Sequence, residues 1–254
     1  MLLKDKKGVI FGVANQRSIA WAIAQKFHQE GAKFVLTYQN EKIGKTVKAL
    51  TSKLNHCPTV CCDVTSDQQI ENAFHHVKQE FGTIDFLIHS IAYAPPKELK
   101  GKFSHVSREG FHTTMEISAF SLTALAQKAL PLMEKGGSII TITSMGGWRI
   151  IPSYHVMGVA KAALESTVRY LSNDLGPKNI RVNGISPGPI RTVSAMGIRR
   201  FSQMLKTHKE RSPLRKNVKA SDTADVALFL AGDSSQNITG EIIFVDSGYH
   251  IIGI

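Results

Sequence analysis

Seven short apolar runs, rich in β-branched and aromatic residues, alternate with longer amphipathic stretches along the 254-residue chain. The runs are GVIFGVA from Gly8, KFVLTYQ from Lys33, TVCCDV from Thr59, DFLIHSIA from Asp85, SIITITS from Ser138, RVNGISPG from Arg181 and EIIFVDSG from Glu241. The intervening stretches Ser18–Glu30, Asp67–Phe81, Glu109–Met133, Tyr154–Leu175 and Thr223–Ala231 carry helical periodicity. A strand that is apolar at successive positions has both faces buried. Such strands joined by helices predict a parallel sheet covered on both sides. No Pro/Gly/Ser-rich linker, repeat or low-complexity segment divides the chain. The expectation is one doubly wound α/β domain over residues 1–254. In such sheets ligands bind at the carboxyl ends of the strands, near the reversal of strand order.

Composition removes several function classes. No apolar run approaches the length of a bilayer span, so no membrane segment is expected. The N-terminal MLLKDKKGVIFGVA runs directly into a glycine turn at Gly12, which reads as a first strand rather than a signal peptide. Cys57, Cys61 and Cys62 cannot all pair, and two of them are adjacent, which points to a reducing, cytoplasmic setting. No Cys/His cluster has ligand spacing, and His75 and His76 point to different sides of a helix, so no metal is expected. The net charge of +11 raises nucleic-acid binding, but the basic residues are dispersed and lack interleaved stacking aromatics. The densest basic stretch is Arg199–Lys219. It reads either as a solvated basic helix or as a patch that steers an acidic protein or a phosphate-bearing substrate.

The strand ends carry the candidate chemistry. The first strand leads into GVANQRSIA, where a turn and a helix N-terminus can meet a pyrophosphate. Gly12 is present, but Ser18 stands where the usual dinucleotide fingerprint has a later glycine. Gln39 ends the second strand where an NAD-preferring site often has an acid for the ribose diol. A neutral amide neither repels nor pairs a 2′-phosphate, and Lys42 and Lys45 lie nearby, so electrostatics leave NADH or NADPH open. Asp63 can accept from an adenine amino group or act as a turn residue before the next helix.

Farther along, Tyr154 and Lys161 are seven residues apart in IPSYHVMGVAK. On a continuous helix that spacing returns both side chains to one face, about 10 Å apart along the axis. A phenol that donates a proton and an ammonium beside it suit chemistry that develops negative charge on a carbonyl oxygen. The same spacing also fits a half-buried Tyr and a surface Lys that merely share a face.

The ordered pieces GVANQRSIAWAIA, TYQN, CDV, HSIAYAP, IPSYHVMGVAKAALE, RVNGISPGPIRT and GEIIFVDSGY resemble the short-chain dehydrogenase/reductase superfamily. Within it the chain is similar to the NADH-dependent enoyl-acyl-carrier-protein reductases of bacterial fatty-acid synthesis, over essentially its whole length. Most superfamily members place Tyr four residues before the active-site Lys; here that position is Met157, and Tyr154 supplies the phenol as in the enoyl reductases. The resemblance implies a Rossmann-like seven-stranded fold and hydride transfer from NADH to the β-carbon of a trans-2-enoyl thioester. It implies catalytic Tyr154 and Lys161, with Lys161 also holding the nicotinamide ribose. Gly12, Ser18 and Ile19 would contact the pyrophosphate region, Gln39 the adenosine ribose, and Asp63 with Val64 the adenine. Ser90, Ile91 and Ala92 would line the cofactor, while Ile190 and Thr192 would meet its carboxamide and phosphates. Tyr93, Met157 and Ser194–Met204 would wall the acyl pocket, within a lid around 192–210. An acyl carrier protein as partner and a homotetramer follow from the same resemblance.

One position departs from the enoyl reductase pattern. Ser144 stands ten residues before Tyr154, where those enzymes carry a second Tyr, and close to where carbonyl-reducing relatives keep an active-site serine. A serine is shorter, so a wider pocket is expected there, with Ser144 a third catalytic candidate. Two competing functions stay in view: a carbonyl-reducing, 3-oxoacyl-reductase-like enzyme, and a non-catalytic NAD(H)-binding sensor.

Overall fold

The computed structural model describes residues 1–55, 57–196 and 200–253. All seven expected strands form: β1 (Lys7–Phe11), β2 (Lys33–Tyr38), β3 (Thr59–Cys61), β4 (Phe86–His89), β5 (Gly137–Ile142), β6 (Ile180–Pro187) and β7 (Ile242–Val245). They pair in parallel in the order β3-β2-β1-β4-β5-β6-β7. The order reverses between β1 and β4, which puts the crevice at their carboxyl ends. This is the doubly wound, Rossmann-like architecture expected from the sequence.

Strand residues divide by parity between two cores. Ile10, Leu36, Ile88, Ile140 and Ile185 face a layer made with helix α1 (Ile19–Gln29), α2 (Glu41–Thr51) and α9 (Ala220–Ala231). Val9, Phe11, Val35, Leu87, Ile139 and Val182 face the opposite layer. That layer is built with α3 (Asp67–Phe81), α5 (Ser121–Ala129) and α6 (His155–Leu175). The period-2 geometry of a strand therefore explains why the runs are apolar throughout: each neighbour serves a different core.

Helix boundaries follow local chemistry. Ser66 accepts from the Gln69 N–H to cap α3, Asp67 sits in its first turn, and Gly82 ends it at φ 72°. Asn40 caps α2 through Ile43 N–H. The expected single helix over Glu109–Met133 is instead interrupted. Helix α4 (Arg108–Met115) passes into a π-helical turn at Glu116–Phe120 before α5, and a 3₁₀ turn follows at Leu130–Leu132. Periodicity does not register one extra residue per turn. After β6 come a short helix, α7 (Val193–Met196), and α8 (Phe201–Arg211). Among the described residues no helix is long and apolar enough to cross a membrane.

Candidate active site

Three consecutive residues at the end of β5 each engage one ionisable side chain at α6. The Ile142 carbonyl accepts from Lys161 Nζ at 2.7 Å, Thr143 Oγ1 donates to Glu165 Oε1 at 2.7 Å, and Ser144 Oγ donates to Tyr154 Oη at 3.1 Å. The Gly146–Gly147 pair that follows makes this closeness possible. A Cβ at Gly146 would overlap the Tyr154 ring, and one at Gly147 would overlap the Glu165 carboxylate.

Tyr154 is not inside a helix as its spacing suggests. It is the residue before α6, and His155 enters the helix with φ 43°. Its carbonyl still accepts from Met157 N–H at 3.1 Å, and its ring packs with Ala94, Val156 and Met157. The two side chains nevertheless approach the same strand end. Lys161 is only 4% exposed. Burial pushes its pKa down to about 8, against the pull of Glu165. Burial also raises the Tyr154 pKa and Glu165 adds to that, while the Ser144 hydrogen bond opposes both. Burial raises the Glu165 pKa, opposed by Thr143, Lys161 and Arg169. The result is a neutral phenol whose hydrogen is free for a ligand, beside a lysine that titrates just above neutrality.

A cavity of about 640 Å³ opens beside this cluster. Its wall includes Ser144, Tyr154, Ile19, Ile190 and Thr192 among the predicted residues. Lys161, buried at the Ile142 carbonyl, is not part of the wall, and neither are Tyr93 and Met157. Tyr93 is 46% exposed, and Met157 is buried behind Tyr154 with Val156. Of the expected lid, Ala195, Arg200, Phe201, Gln203 and Met204 line the cavity, whereas Gly197, Ile198 and Arg199 lie outside the described residues.

The remaining predicted residues sit at the ends of β1 to β4. Gly12 has φ 103°, and a Cβ there would overlap the Ser90 carbonyl. Ser18 precedes α1, but its Oγ accepts from the Ala14 and Asn15 N–H groups at 3.1 Å, so it holds the turn closed. Gln39 Nε2 donates to Asp63 Oδ2 at 3.2 Å, joining the ends of β2 and β3. Burial works against the Asp63 charge, but the two Thr65 donors and Gln39 outweigh it and lower its pKa. Val64 is buried, Ser90 and Ile91 are half-buried, and Ala92 is exposed at the edge of the crevice.

A family model described as Enoyl-(Acyl carrier protein) reductase matches residues 12–250. The chain belongs to this enoyl reductase family. The Bacillus cereus enoyl-[acyl-carrier-protein] reductase [NADH] FabI is 49% identical over 254 residues, covering 99% of each chain. The crystal structure of the B. cereus reductase with NADP+ and indole naphthyridinone has a TM-score of 0.98, spanning 100% of this chain and 99% of that one at 49% identity. The Anaplasma phagocytophilum reductase in complex with NAD has a TM-score of 0.95 at 44% identity, with 100% and 95% covered.

The crevice of this family member fits a dinucleotide on its own geometry. The first turn of α1 carries no acidic residue and no side-chain cap, because Ser18 is committed to the preceding turn. Trp21 and Ala22 N–H donate to the Ser18 carbonyl, so the Ile19 and Ala20 N–H groups and the positive end of the helix are left for an anion. The close packing of Gly12 on Ser90 keeps side chains out of that approach. Thr143 and Glu165 are the members of the cluster that sequence reasoning missed. The signal was KAALE, which puts Glu165 one turn after Lys161, but the same i, i+4 pattern describes an ordinary surface ion pair.

Proposed function

We propose that this chain reduces the C=C bond of trans-2-enoyl thioesters carried on an acyl carrier protein, with NADH as the favoured reductant. The observation that carries this reading is the Tyr154 phenol at the cavity wall, with Ser144 donating to its oxygen. Because Ser144 fills an acceptor position, the phenol's own hydrogen can be given to a thioester carbonyl oxygen. Charge that develops on that oxygen is stabilised by the phenol and by the buried Lys161 ammonium. When bound, the dinucleotide supplies the hydride. Gly12, Ser18, Ile19, Ile190 and Thr192 would hold its phosphates and carboxamide side, Gln39, Asp63 and Val64 its adenosine, and Ser90, Ile91 and Ala92 its flank. Gln39 carries no charge that would favour a 2′-phosphate, and the B. cereus, Bacillus subtilis and Synechocystis relatives are named as NADH enzymes.

Residues 192–210 serve as the lid in this reading. Arg17 of the turn after β1 reaches Met196 Sδ at 3.9 Å, so this segment already touches the dinucleotide crevice. A closed lid excludes water from the reacting carbons. Lys206, Lys209 and Arg211 project from α8 into solvent, and Arg200 lines the cavity mouth. An acidic carrier would dock here. The chain would work in the cytoplasm as a homotetramer.

The competing reading is a 3-oxoacyl reductase that uses Ser144. Met157 in place of a phenol four residues before Lys161 weighs against it. Oxidation of NADH and NADPH, followed in parallel with carrier-linked trans-2-enoyl and 3-oxoacyl thioesters, separates the two. Turnover of the enoyl substrate is expected, and charge reversal at Lys209 and Arg211 should raise KM for the carrier-linked form and leave KM for a carrier-free enoyl thioester unchanged. Turnover of the ketone alone would sink the proposal, and tight dinucleotide binding without turnover would favour a sensor.

A further inference from the structure

We infer that Glu165 is a positioning residue for this reaction: held by Thr143, it is the counter-charge that keeps the buried Lys161 an ammonium. The inference rests on the proposed reductase function for its catalytic consequence, but not for the electrostatics.

The geometry is specific. Glu165 and Lys161 are one turn apart on α6 and are anchored on the adjacent residues Thr143 and Ile142, so the carboxylate acts on the ammonium through space rather than as a direct ion pair. Both are buried, so neither charge is screened by water as a surface pair would be. Thr143 is buried as well and spends its hydroxyl hydrogen on Glu165 Oε1 at 2.7 Å. The Gly147 backbone closes over the carboxylate, where any side chain would collide with it. Lys161 in turn has the Ile142 carbonyl, a neutral acceptor that leaves the ammonium charge uncompensated. A buried ammonium with neutral partners alone loses its proton readily.

The other groups around the pair do not replace Glu165. His89, from β4, is fully buried between Thr141 Oγ1 and Ser121 Oγ, both at 2.8 Å; burial and then Lys161 hold its pKa down to about 3, so it is neutral. Tyr154 is neutral at working pH because burial raises its pKa. Arg169, a further turn along α6, acts on Glu165 and favours its ionised form. Glu165 is the acid that raises the Lys161 pKa, opposing the burial that lowers it to about 8. The sign follows directly. The ammonium is present below that value and lost as pH rises through it, so removing Glu165 moves the loss to lower pH.

Two readouts test this. The first is the pH profile of kcat/KM with an enoyl thioester for wild type, Glu165→Gln, Glu165→Asp and Thr143→Val. The second is the pH titration of the Lys161 signal in unliganded protein labelled with 13C at lysine Cε, assigned by its disappearance in Lys161→Met. Glu165→Gln should move the alkaline midpoint down by about one pH unit in both measurements. Glu165→Asp should restore most of that shift, and Thr143→Val should move it in the same direction by less. Should Glu165→Gln not fold, Thr143→Val carries the test. Midpoints that coincide with wild type in a folded Gln or Val variant overturn the inference, whatever happens to overall activity. Wild type that turns over no enoyl thioester would overturn the proposed function instead, and the NMR titration would still decide the role of Glu165.

Discussion

A hydroxyl, an ammonium and a carboxylate meet at the end of β5 because Ile142, Thr143 and Ser144 offer three successive polar atoms to α6. Each contact has a different consequence. The Ile142 carbonyl fixes Lys161 without neutralising it, Thr143 fixes the acid that does, and Ser144 orients the phenol. Tyr154→Phe removes the phenol hydrogen that faces the cavity beside Ser144. It should lower kcat by about 10²-fold or more, while dinucleotide affinity changes little. Steady-state kinetics beside a binding titration would check this, and an unchanged kcat would remove Tyr154 from the mechanism. The candidacy of Tyr154 and Lys161 was legible from their spacing together with the family resemblance, and that of Ser144 from the resemblance alone. Their contacts were not: a short hydroxyl hydrogen bond depends on a turn whose compactness comes from Gly146 and Gly147. Nor does a Lys-x-x-x-Glu pattern say whether it faces water or a strand end.

At the scale of elements, the turn from β1 into α1 is the part most sensitive to one atom. Gly12 adopts φ 103° and lies against the Ser90 carbonyl. In Gly12→Ala both the backbone conformation and the new Cβ oppose that packing, at a cost of about 1–3 kcal/mol. The turn would shift away from β4, and dinucleotide affinity should fall by on the order of tenfold or more. Isothermal titration with NADH checks it, and unchanged affinity would show that the turn can relax without moving its N–H groups. Most elements followed from apolar patterning. Helix α3 begins and ends where its Ser66 cap, Asp67 and Gly82 predict. Helix α2 is missing from the expected set although Ile43, Val47 and Leu50 recur at i, i+4 and i+7, and α8 lies inside the stretch read as either a basic helix or a steering patch. In α8 the buried side is Phe201, Leu205 and the polar His208. The π-helical turn between α4 and α5 was hidden because it alters phase rather than composition.

For the whole molecule, the sheet order explains why residues from distant parts of the sequence serve one crevice. The reversal between β1 and β4 opens the dinucleotide end, and β5, β6 and their following segments supply the chemistry and the cavity. Part of the net charge of +11 is concentrated on and after α8, where Lys206, Lys209, Arg211, Arg215 and Lys216 are exposed, while Phe201, Gln203 and Met204 of the same helix line the cavity. Steering by such a patch is screened by salt, so under the proposed function salt should weaken use of carrier-linked substrate and leave the chemical step unchanged. The central claim concerns where hydride lands, and the most direct measurement is the position of label in the product. With NADH deuterated at its transferable position and a trans-2-enoyl thioester in ordinary water, mass spectrometry and NMR should place one deuterium on the β-carbon. The α-carbon should gain its hydrogen from solvent. Deuterium on the α-carbon, or label transferred only to the carbonyl carbon of a 3-oxoacyl thioester, would contradict the account.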